Sequence, residues 1–161
     1  MEIREARASD AATLHALNVE LQEFERRGCP SRLPGDELPV SYIDGLLSGM
    51  QRGRSKVFVA QADASVVAFL ACELREDVLE QDPLYVCITD MVVTASQRGR
   101  GIARRLMAAA EDFAREHGAR TIAVTALSSN SSAQSIYRQL GFEDAAVTFE
   151  RSVIYPDASS R

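Results

Sequence analysis

The chain has 161 residues, of which 46% are hydrophobic and 25% charged, so it is long enough for one soluble domain with a buried core. A formal net charge of -5 argues against a protein that coats nucleic acid through overall positive charge. Three cysteines without a C-x-x-C spacing disfavour a disulfide framework and a zinc knuckle. The charged N-terminus and the lack of a run of roughly 18 apolar residues disfavour a signal peptide and a membrane span. We expect a cytoplasmic protein without a metal site.

The first half of the chain predicts a strand, two helices and a hairpin. A short strand over residues 3–6 precedes a helix that Ser9 or Asp10 can cap and that ends near residue 26. A loop rich in proline and glycine follows. A second helix is predicted over residues 40–51. Two β-rich runs, residues 56–62 and 66–73, flank a short turn and predict a hairpin.

The second half predicts a strand–helix–strand unit with a further helix. The strand 85–93 is apolar on both faces and is therefore expected at the centre of a sheet. A helix over 101–117 connects it to strand 121–127, and a right-handed crossover makes these two strands parallel. The remaining predicted elements are a helix over 131–140 and one bent strand or two over 142–155. We predict an α/β (α+β) domain over residues 1–155 with helices on both faces of a mixed, mostly antiparallel sheet, followed by a C-terminal tail over residues 156–161.

The segment TASQRGRGIARRL, residues 94–106, concentrates positive charge where a strand leads into a helix. The first N–H groups of a helix have no intrahelical partner and lie at the positive end of its dipole, which favours phosphate. Gly99 and Gly101 remove side chains that would keep a phosphate oxygen away. Three arginines add mobile positive charge: Arg98, Arg100 and Arg104. The segment is neither a Walker loop nor a dinucleotide turn. A solvated basic helix start is the alternative.

The segment NSSAQSIYRQLGF, residues 130–142, forms the second motif. Asn130 lies at the start of the predicted helix, and Ala133 and Tyr137 are four residues apart on one face of it. Gly141 ends the helix before Phe142.

The two segments together resemble the Gcn5-related N-acetyltransferases. The first matches the coenzyme A signature of that family as Arg98-x-x-Gly101-x-Ala103, and the second matches at Asn130, Ala133, Tyr137, Gly141 and Phe142. The order of elements is similar along nearly the whole chain. The resemblance implies an acyl-CoA N-acyltransferase fold that uses acetyl-CoA as acyl donor and needs no metal. It further implies direct attack by a primary amine of a small molecule or peptide in a ternary complex. An acyl-CoA-binding sensor without turnover is the alternative function.

The resemblance also implies where acetyl-CoA binds. In this family the cofactor lies where two parallel strands splay apart, which here are strands 85–93 and 121–127. The backbone of Met91, Val92 and Val93 is expected to bind the pantetheine and the acetyl carbonyl. The pyrophosphate is expected at Arg98, Gly99, Arg100, Gly101, Ile102, Ala103 and Arg104. The pantetheine arm is expected beside Asn130, Ala133 and Tyr137.

The resemblance assigns Tyr137 as the general acid for the leaving thiolate, and a buried aromatic with a satisfied hydroxyl is the alternative. The general base stays open. Asp90 is the only carboxylate on strand 85–93, and its apolar neighbours suit a raised pKa. A buried Asp that accepts backbone hydrogen bonds at a bulge is equally possible. Thr125 stands where some relatives have a glutamate, Glu73 is a weaker choice, and a chain of waters would also serve.

The acceptor and the partners are less constrained by the sequence. Six acidic residues lie where the family admits its acceptor: Glu20, Glu23, Glu25, Asp36, Glu37 and Asp44. They can attract a cationic amine, or they form a solvated acidic face. We expect no nucleic-acid or membrane partner. We expect a homodimer, because the family often pairs through its C-terminal strands and residues 147–155 are apolar enough to do so. Cys87 is expected to pack as a small apolar residue. His117 is expected to mark the end of a helix, and His15 is expected to be structural or exposed rather than catalytic.

Overall fold

The computed structural model describes residues 1–151, and these contain a five-stranded sheet with helices packed against both of its faces. The strands are β1 (Glu2–Glu5), β2 (Ser55–Ala62), β3 (Ser65–Glu76), β4 (Leu84–Val93) and β5 (Thr121–Val124). The helices are α1 (Ala11–Arg26), α2 (Ser41–Gly49), α3 (Ile102–Glu116) and α4 (Ser131–Gln139).

The strands lie in the order β1-β2-β3-β4-β5, with antiparallel pairing up to β4 and a parallel β4–β5 pair. The predicted mixed, mostly antiparallel sheet is confirmed. The parallel pairing runs only from Tyr85 opposite Thr121 to Ile88 opposite Val124. Because β4 continues to Val93 while β5 ends at Val124, residues 89–93 have no partner on the β5 side among residues 1–151. The two parallel strands therefore part at this point.

Each face of the sheet has its own apolar core. Helix α3 presents apolar residues at helical spacing, such as Leu106 and Phe113, to one face. Helices α1 and α2 cover the other face through Leu14, Leu17 and Ile43. The predicted helices on both faces are confirmed. The sheet is therefore packed between α3 on one face and α1 and α2 on the other.

A β-bulge in β4 changes which core its side chains enter. Ala71 of β3 pairs with Asp90 and Cys72 pairs with Ile88, so Thr89 is the extra residue. Before the bulge, the even-numbered Ile88 lies in the core under α3. After it, the even-numbered Val92 lies in the core under α1 and α2. The added residue therefore turns Asp90 away from α3 and toward α1 and α2.

Two predicted strands are wrong in extent. The strand predicted over 121–127 ends at Val124, because residues 125–127 leave the sheet where β4 and β5 part. Residues 143–151, expected to be strand, have no regular structure, and the side chains of Val147 and Phe149 are 77% and 91% exposed. No strand within residues 1–151 pairs with the outer edge of β5. The rest of the predicted strand, part of the predicted dimer segment and the predicted tail lie outside the described residues, and the homodimer stays a prediction.

No helix within residues 1–151 is long and apolar enough to cross a membrane. In the same range no group of three or more His, Cys, Asp or Glu residues is placed to hold a metal ion. Cys29, Cys72 and Cys87 are free thiols.

Asp10 joins β1 to the start of α1 instead of capping that helix with its side chain. Its carboxylate accepts hydrogen bonds from Arg4 Nη1 at 2.8 Å, from Arg4 Nη2 at 3.0 Å and from the Arg7 backbone N–H at 2.7 Å. The Arg4 hydrogen bonds, aided by Arg7, lower the pKa of Asp10 below its usual value despite burial. The ionised side chain therefore stabilises the folded state at neutral pH.

We expect Asp10→Asn to lower the free energy of unfolding by about 1–3 kcal/mol at pH 7, because a buried charge-assisted network loses its anion. The folded pKa of Asp10 is lowered, so its stabilisation is present above the unfolded carboxyl pKa and is lost as the pH falls. Urea unfolding at pH 7 and pH 3 measures the difference. Asp36→Asn, at an exposed position, is the control. A difference between wild type and Asp10→Asn that is equally large at both pH values would contradict this account.

Candidate functional site

A cavity of about 600 Å³ opens where β4 and β5 part. One wall consists of the β4 residues 87–91, residues 124–127 and the start of α4. The facing wall comes from α1, the loop after it, α2 and one residue of β3: Asn18, Leu21, Gln22, Glu25, Arg32, Leu33, Leu38, Pro39, Tyr42 and Arg75. The cavity thus lies between the splayed strands and the first two helices.

Asp90 lies in this cavity beside a phenol. The residue is only 5% exposed, and Tyr42 of α2 donates its hydroxyl to Asp90 Oδ1 and Oδ2 at 3.0 and 2.8 Å. Burial raises the pKa of Asp90, and the Tyr42 hydrogen bond opposes that rise. Burial and the neighbouring Asp90 raise the pKa of Tyr42, so the phenol keeps its proton. A buried carboxylate of raised pKa is chemically suited to accept a proton.

Tyr137 lies on the same cavity and is held there by the structure of α4. Asn130 Oδ1 caps this helix by accepting the Ala133 N–H at 3.0 Å. At the other end, Gly141 adopts a φ of +93°, and Phe142 donates its N–H to the Tyr137 carbonyl at 3.0 Å. The ring of Phe142 packs edge-on against Tyr137 with centroids 5.7 Å apart. The helix ends therefore fix where the phenol points.

The Tyr137 hydroxyl makes no hydrogen bond to another group within residues 1–151, which differs from a core aromatic with a satisfied hydroxyl. Burial raises the pKa of Tyr137 to about 12, so the phenol is protonated at neutral pH and can donate.

Other groups considered from the sequence are less suited to chemistry here. Cys87 lines the cavity, but burial raises the pKa of its thiol and leaves it a weak nucleophile at neutral pH. Glu73 accepts a hydrogen bond from Arg75 at 2.7 Å and does not line the cavity. His15 and His117 do not line it either, and His117 lies at the end of α3 as expected.

The turn between β4 and α3 has the open backbone that the sequence predicts. Gly99 and Gly101 have φ values of +74° and +73°, and a Cβ built at either position meets no atom within 4 Å. Gly101 is the N-cap of α3, and no side chain caps that helix. The first N–H groups of α3 therefore emerge at an uncovered surface, where an anion is able to approach.

The three arginines of the turn are not equivalent. Arg98 Nε donates to the Val93 carbonyl at 2.9 Å, and its Nη2 lies 3.2 Å from Glu20 Oε1. The prediction of mobile charge is therefore wrong for Arg98, because the side chain is held against the end of β4. Arg100 and Arg104 are exposed and form no ion pair within residues 1–151. They remain available to an incoming anion.

The acidic residues predicted to face the acceptor have different tasks. Glu20 binds the turn, accepting from Thr94 Oγ1 and from the Ala95 N–H, each at 2.9 Å. Glu23 accepts the Gly35 N–H at 2.6 Å. Of the six, only Glu25 lines the cavity. The other three are exposed and do not line it: Asp36, Glu37 and Asp44.

Tyr42, Arg32 and Asn18 are among the lining residues that were not predicted from the sequence. Tyr42 is a single aromatic at the start of a helix, Arg32 lies in a loop, and Asn18 is one polar position on an amphipathic helix. None belongs to a motif, and only the packing of α1 and α2 over the bulged strand brings them to the cavity. The structure does bring the predicted Asp90, Met91, Asn130, Ala133 and Tyr137 together in its lining. It leaves Val92, Val93 and the turn outside that lining.

The sequence model described as the acetyltransferase (GNAT) family matches residues 18–142. The chain belongs to this family. It is 28% identical over 144 residues to the uncharacterized N-acetyltransferase YhfO of Bacillus subtilis, covering 89% of this chain and 91% of that protein. It is 30% identical over 101 residues to an aminoglycoside N(6')-acetyltransferase type 1 of Salmonella typhimurium, covering 61% of this chain and 66% of that protein.

Solved structures share the fold of this GNAT protein. The tetramutant of the BH1408 protein from Bacillus halodurans has a TM-score of 0.82 at 24% identity, with 95% of this chain and all of that chain covered. AAC(6')-Iy in complex with a bisubstrate analog, CoA-S-monomethyl-acetylneamine, has a TM-score of 0.74 at 24% identity, with coverages of 95% and 98%. At these identities the likeness shows the fold alone.

Proposed function

We propose that this protein transfers the acetyl group of acetyl-CoA to the primary amine of a small molecule or peptide by direct attack in a ternary complex. One observation carries the proposal. The parallel strands part after Ile88 and Val124, and the cavity that opens there is lined by both a buried carboxylate and a protonated phenol, Asp90 and Tyr137.

The cofactor would use the two open backbone surfaces. Residues 89–93 of β4 lack a β5 partner, so their free N–H and C=O groups can bind the pantetheine arm and the acetyl carbonyl as a further strand would. The first N–H groups of α3 with Arg100 and Arg104 would bind the pyrophosphate. The cofactor-binding residues in this proposal are Met91, Val92, Val93, Arg98, Gly99, Arg100, Gly101, Ile102, Ala103, Arg104, Asn130, Ala133 and Tyr137.

Asp90 and Tyr137 would divide the proton transfers. An amine is largely protonated near neutral pH and must lose a proton before it can attack the thioester carbonyl. Asp90 accepts that proton, either directly or through one water, while Tyr42 holds the carboxylate in place. As the C–S bond breaks, Tyr137 donates its proton to the departing thiolate. The products are the N-acetylated amine and free coenzyme A.

A thiol-release assay tests the reaction. Purified protein with acetyl-CoA and a panel of primary amines is expected to release free thiol, and mass spectrometry is expected to show one acetyl group on the amine. Binding of acetyl-CoA without thiol release for any amine would favour the sensor function instead.

Gly101→Val tests the anion site of the turn. A branched side chain at this position covers the N–H groups at the start of α3, so we expect affinity for coenzyme A to fall at least tenfold. Isothermal titration calorimetry measures the affinity. Gly53→Val is the matched control, because Gly53 has the same left-handed backbone, with φ +72°, and the same open space around its Cβ. Both variants carry the same backbone strain, and only Gly101→Val is expected to lose affinity. Equal affinity in the two folded variants would remove the turn from the site.

Tyr42→Phe tests whether Asp90 is the base. Loss of the phenol removes a hydrogen bond that lowers the pKa of Asp90, so that pKa rises further. A carboxylate with a higher pKa stays protonated up to a higher pH. The acidic limb of kcat/KM against pH is therefore expected to move up by about one pH unit, since one unit corresponds to about 1.4 kcal/mol.

Tyr85→Phe controls for loss of a phenol, because Tyr85 lies on β4, the strand of Asp90, but does not line the cavity. An unmoved acidic limb in Tyr42→Phe would exclude Asp90 as the base.

Tyr137→Phe tests the general acid. The change keeps the ring against Phe142 and removes only the proton, so the fold and the affinity for coenzyme A are expected to hold. The chemical step is expected to slow by roughly 10²- to 10⁴-fold. Single-turnover rates are needed, because slow product release conceals a lost acid. A full single-turnover rate in a folded variant would return Tyr137 to a packing role.

A further inference from the structure

The charges that line the cavity are almost fully paired within the protein. Its four charged residues are Glu25, Asp90, Arg32 and Arg75. Arg32 Nη2 lies 3.0 Å from Glu25 Oε2, and Arg32 Nη1 donates to Gln22 Oε1 at 3.0 Å.

Arg75 pairs with Glu73 at 2.7 Å. Among the described lining residues, Asp90 is thus the only carboxylate without an ion pair, and the neutral phenol of Tyr42 donates to both of its oxygens. The cavity offers a cation one unpaired negative charge.

Four of the seven uncharged residues on the wall opposite β4 are apolar. Leu21, Leu33, Leu38 and Pro39 line it between α1 and α2. Such a wall stabilises an apolar substituent by removing it from water, at about 25 cal/mol for each Å² buried. Three uncharged polar residues also lie on this wall: Asn18, Gln22 and Tyr42. Gln22 accepts from Arg32 and Tyr42 donates to Asp90, whereas Asn18 is 1% exposed and its Oδ1 has no hydrogen-bond partner within residues 1–151. The Asn18 oxygen is itself buried, so the surface that this wall presents to an acceptor away from the paired side chains is apolar.

We propose that the acceptor is a primary amine with a single positive charge on an otherwise uncharged, largely apolar body, and that the Glu25–Arg32 ion pair selects against additional charges. This inference rests on the proposed acetyl transfer and deepens it. The reacting ammonium is held by Asp90, to which it passes a proton. A second ammonium on the same molecule has no free carboxylate in the lining and must displace Arg32 from both Glu25 and Gln22. A carboxylate on the acceptor must likewise displace Glu25 from Arg32.

This arrangement of charges makes the cavity unsuited to a polycation. An aminoglycoside or a polyamine carries several ammonium groups, and desolvating each of them without a partner is costly. The acidic residues on the surrounding wall do not supply these partners, because Glu20 and Glu23 bind the backbone of this protein. The acidic composition of the segment therefore does not translate into an acidic cavity.

Three probes of one length test the proposal: hexylamine with one positive charge, 1,6-diaminohexane with two, and 6-aminohexanoate with an added carboxylate. Thiol release gives kcat/KM for each. For the wild-type protein, kcat/KM is expected to be highest for hexylamine. The value for the diamine is first divided by two, because the diamine has two reactive amino groups.

The ion-pair variants give the sharper result. Arg32→Gln frees Glu25, and the kcat/KM ratio of diamine to monoamine is expected to rise about 3- to 10-fold. Glu25→Gln frees Arg32, and the ratio for 6-aminohexanoate is expected to rise by a similar factor. The double variant is expected to bring both ratios back toward the wild-type values. Arg54→Gln removes the same charge from an exposed pair with Glu76 outside the cavity and controls for net charge.

The outcomes separate two failures. Turnover of amines with wild-type preference for the diamine or for aminoglycosides, or ratios that do not respond to Arg32→Gln, would overturn the selectivity and leave acetyl transfer intact. No turnover of any mono-, di- or polyamine in the presence of acetyl-CoA would overturn the proposed function, and the selectivity with it.

Discussion

The single extra residue in β4 is the constraint on which the rest of the site depends. A strand alternates its side chains between two faces, so without the bulge at Thr89 the residue at position 90 would share the face of Ile88, in the core under α3. A carboxylate placed there would meet only apolar neighbours and no donor. The bulge directs it instead toward α2, where Tyr42 supplies a hydrogen bond. The same discontinuity falls where the β4–β5 pairing stops, so the carboxylate and the opening in the sheet share one origin.

Two tyrosines line the same cavity but differ in whether their hydroxyl groups are already hydrogen-bonded. The Tyr42 side chain is partly exposed to solvent, yet its hydroxyl donates a hydrogen bond to Asp90. Tyr137 is more enclosed, yet its hydroxyl has no acceptor within residues 1–151. A phenol with an ordinary pKa is already protonated at neutral pH, and the raised pKa values of both tyrosines keep them so. In the proposed reaction this difference assigns the roles: a phenol that already donates to a carboxylate orients the base, and a phenol with an uncommitted proton serves the leaving group.

The sequence predicted the parts of the site that depend on local structure. The glycines of the turn, the helix start at Asn130 and the face shared by Ala133 and Tyr137 follow from short-range spacing, and the structure has each of them. The bulge, Tyr42 and the Glu25–Arg32 pair depend on register between strands and on contacts between residues far apart in the chain. The acidic segment 20–44 misled for the same reason, since composition does not show which carboxylates the protein itself uses.

Arg98 links the two halves of the site through one strand. Its guanidinium donates to the Val93 carbonyl at the end of β4 and pairs with Glu20 on α1, so the turn before α3 is fixed to the strand that carries Asp90. A ligand that spans the turn and the cavity would therefore meet two sites at a set separation. Fixing that separation before binding is what makes positioning effective, because the entropy of bringing the groups together is lost during folding and not in each turnover. Arg98 thus holds the turn against the end of β4, whereas the exposed Arg100 and Arg104 form no ion pair within residues 1–151.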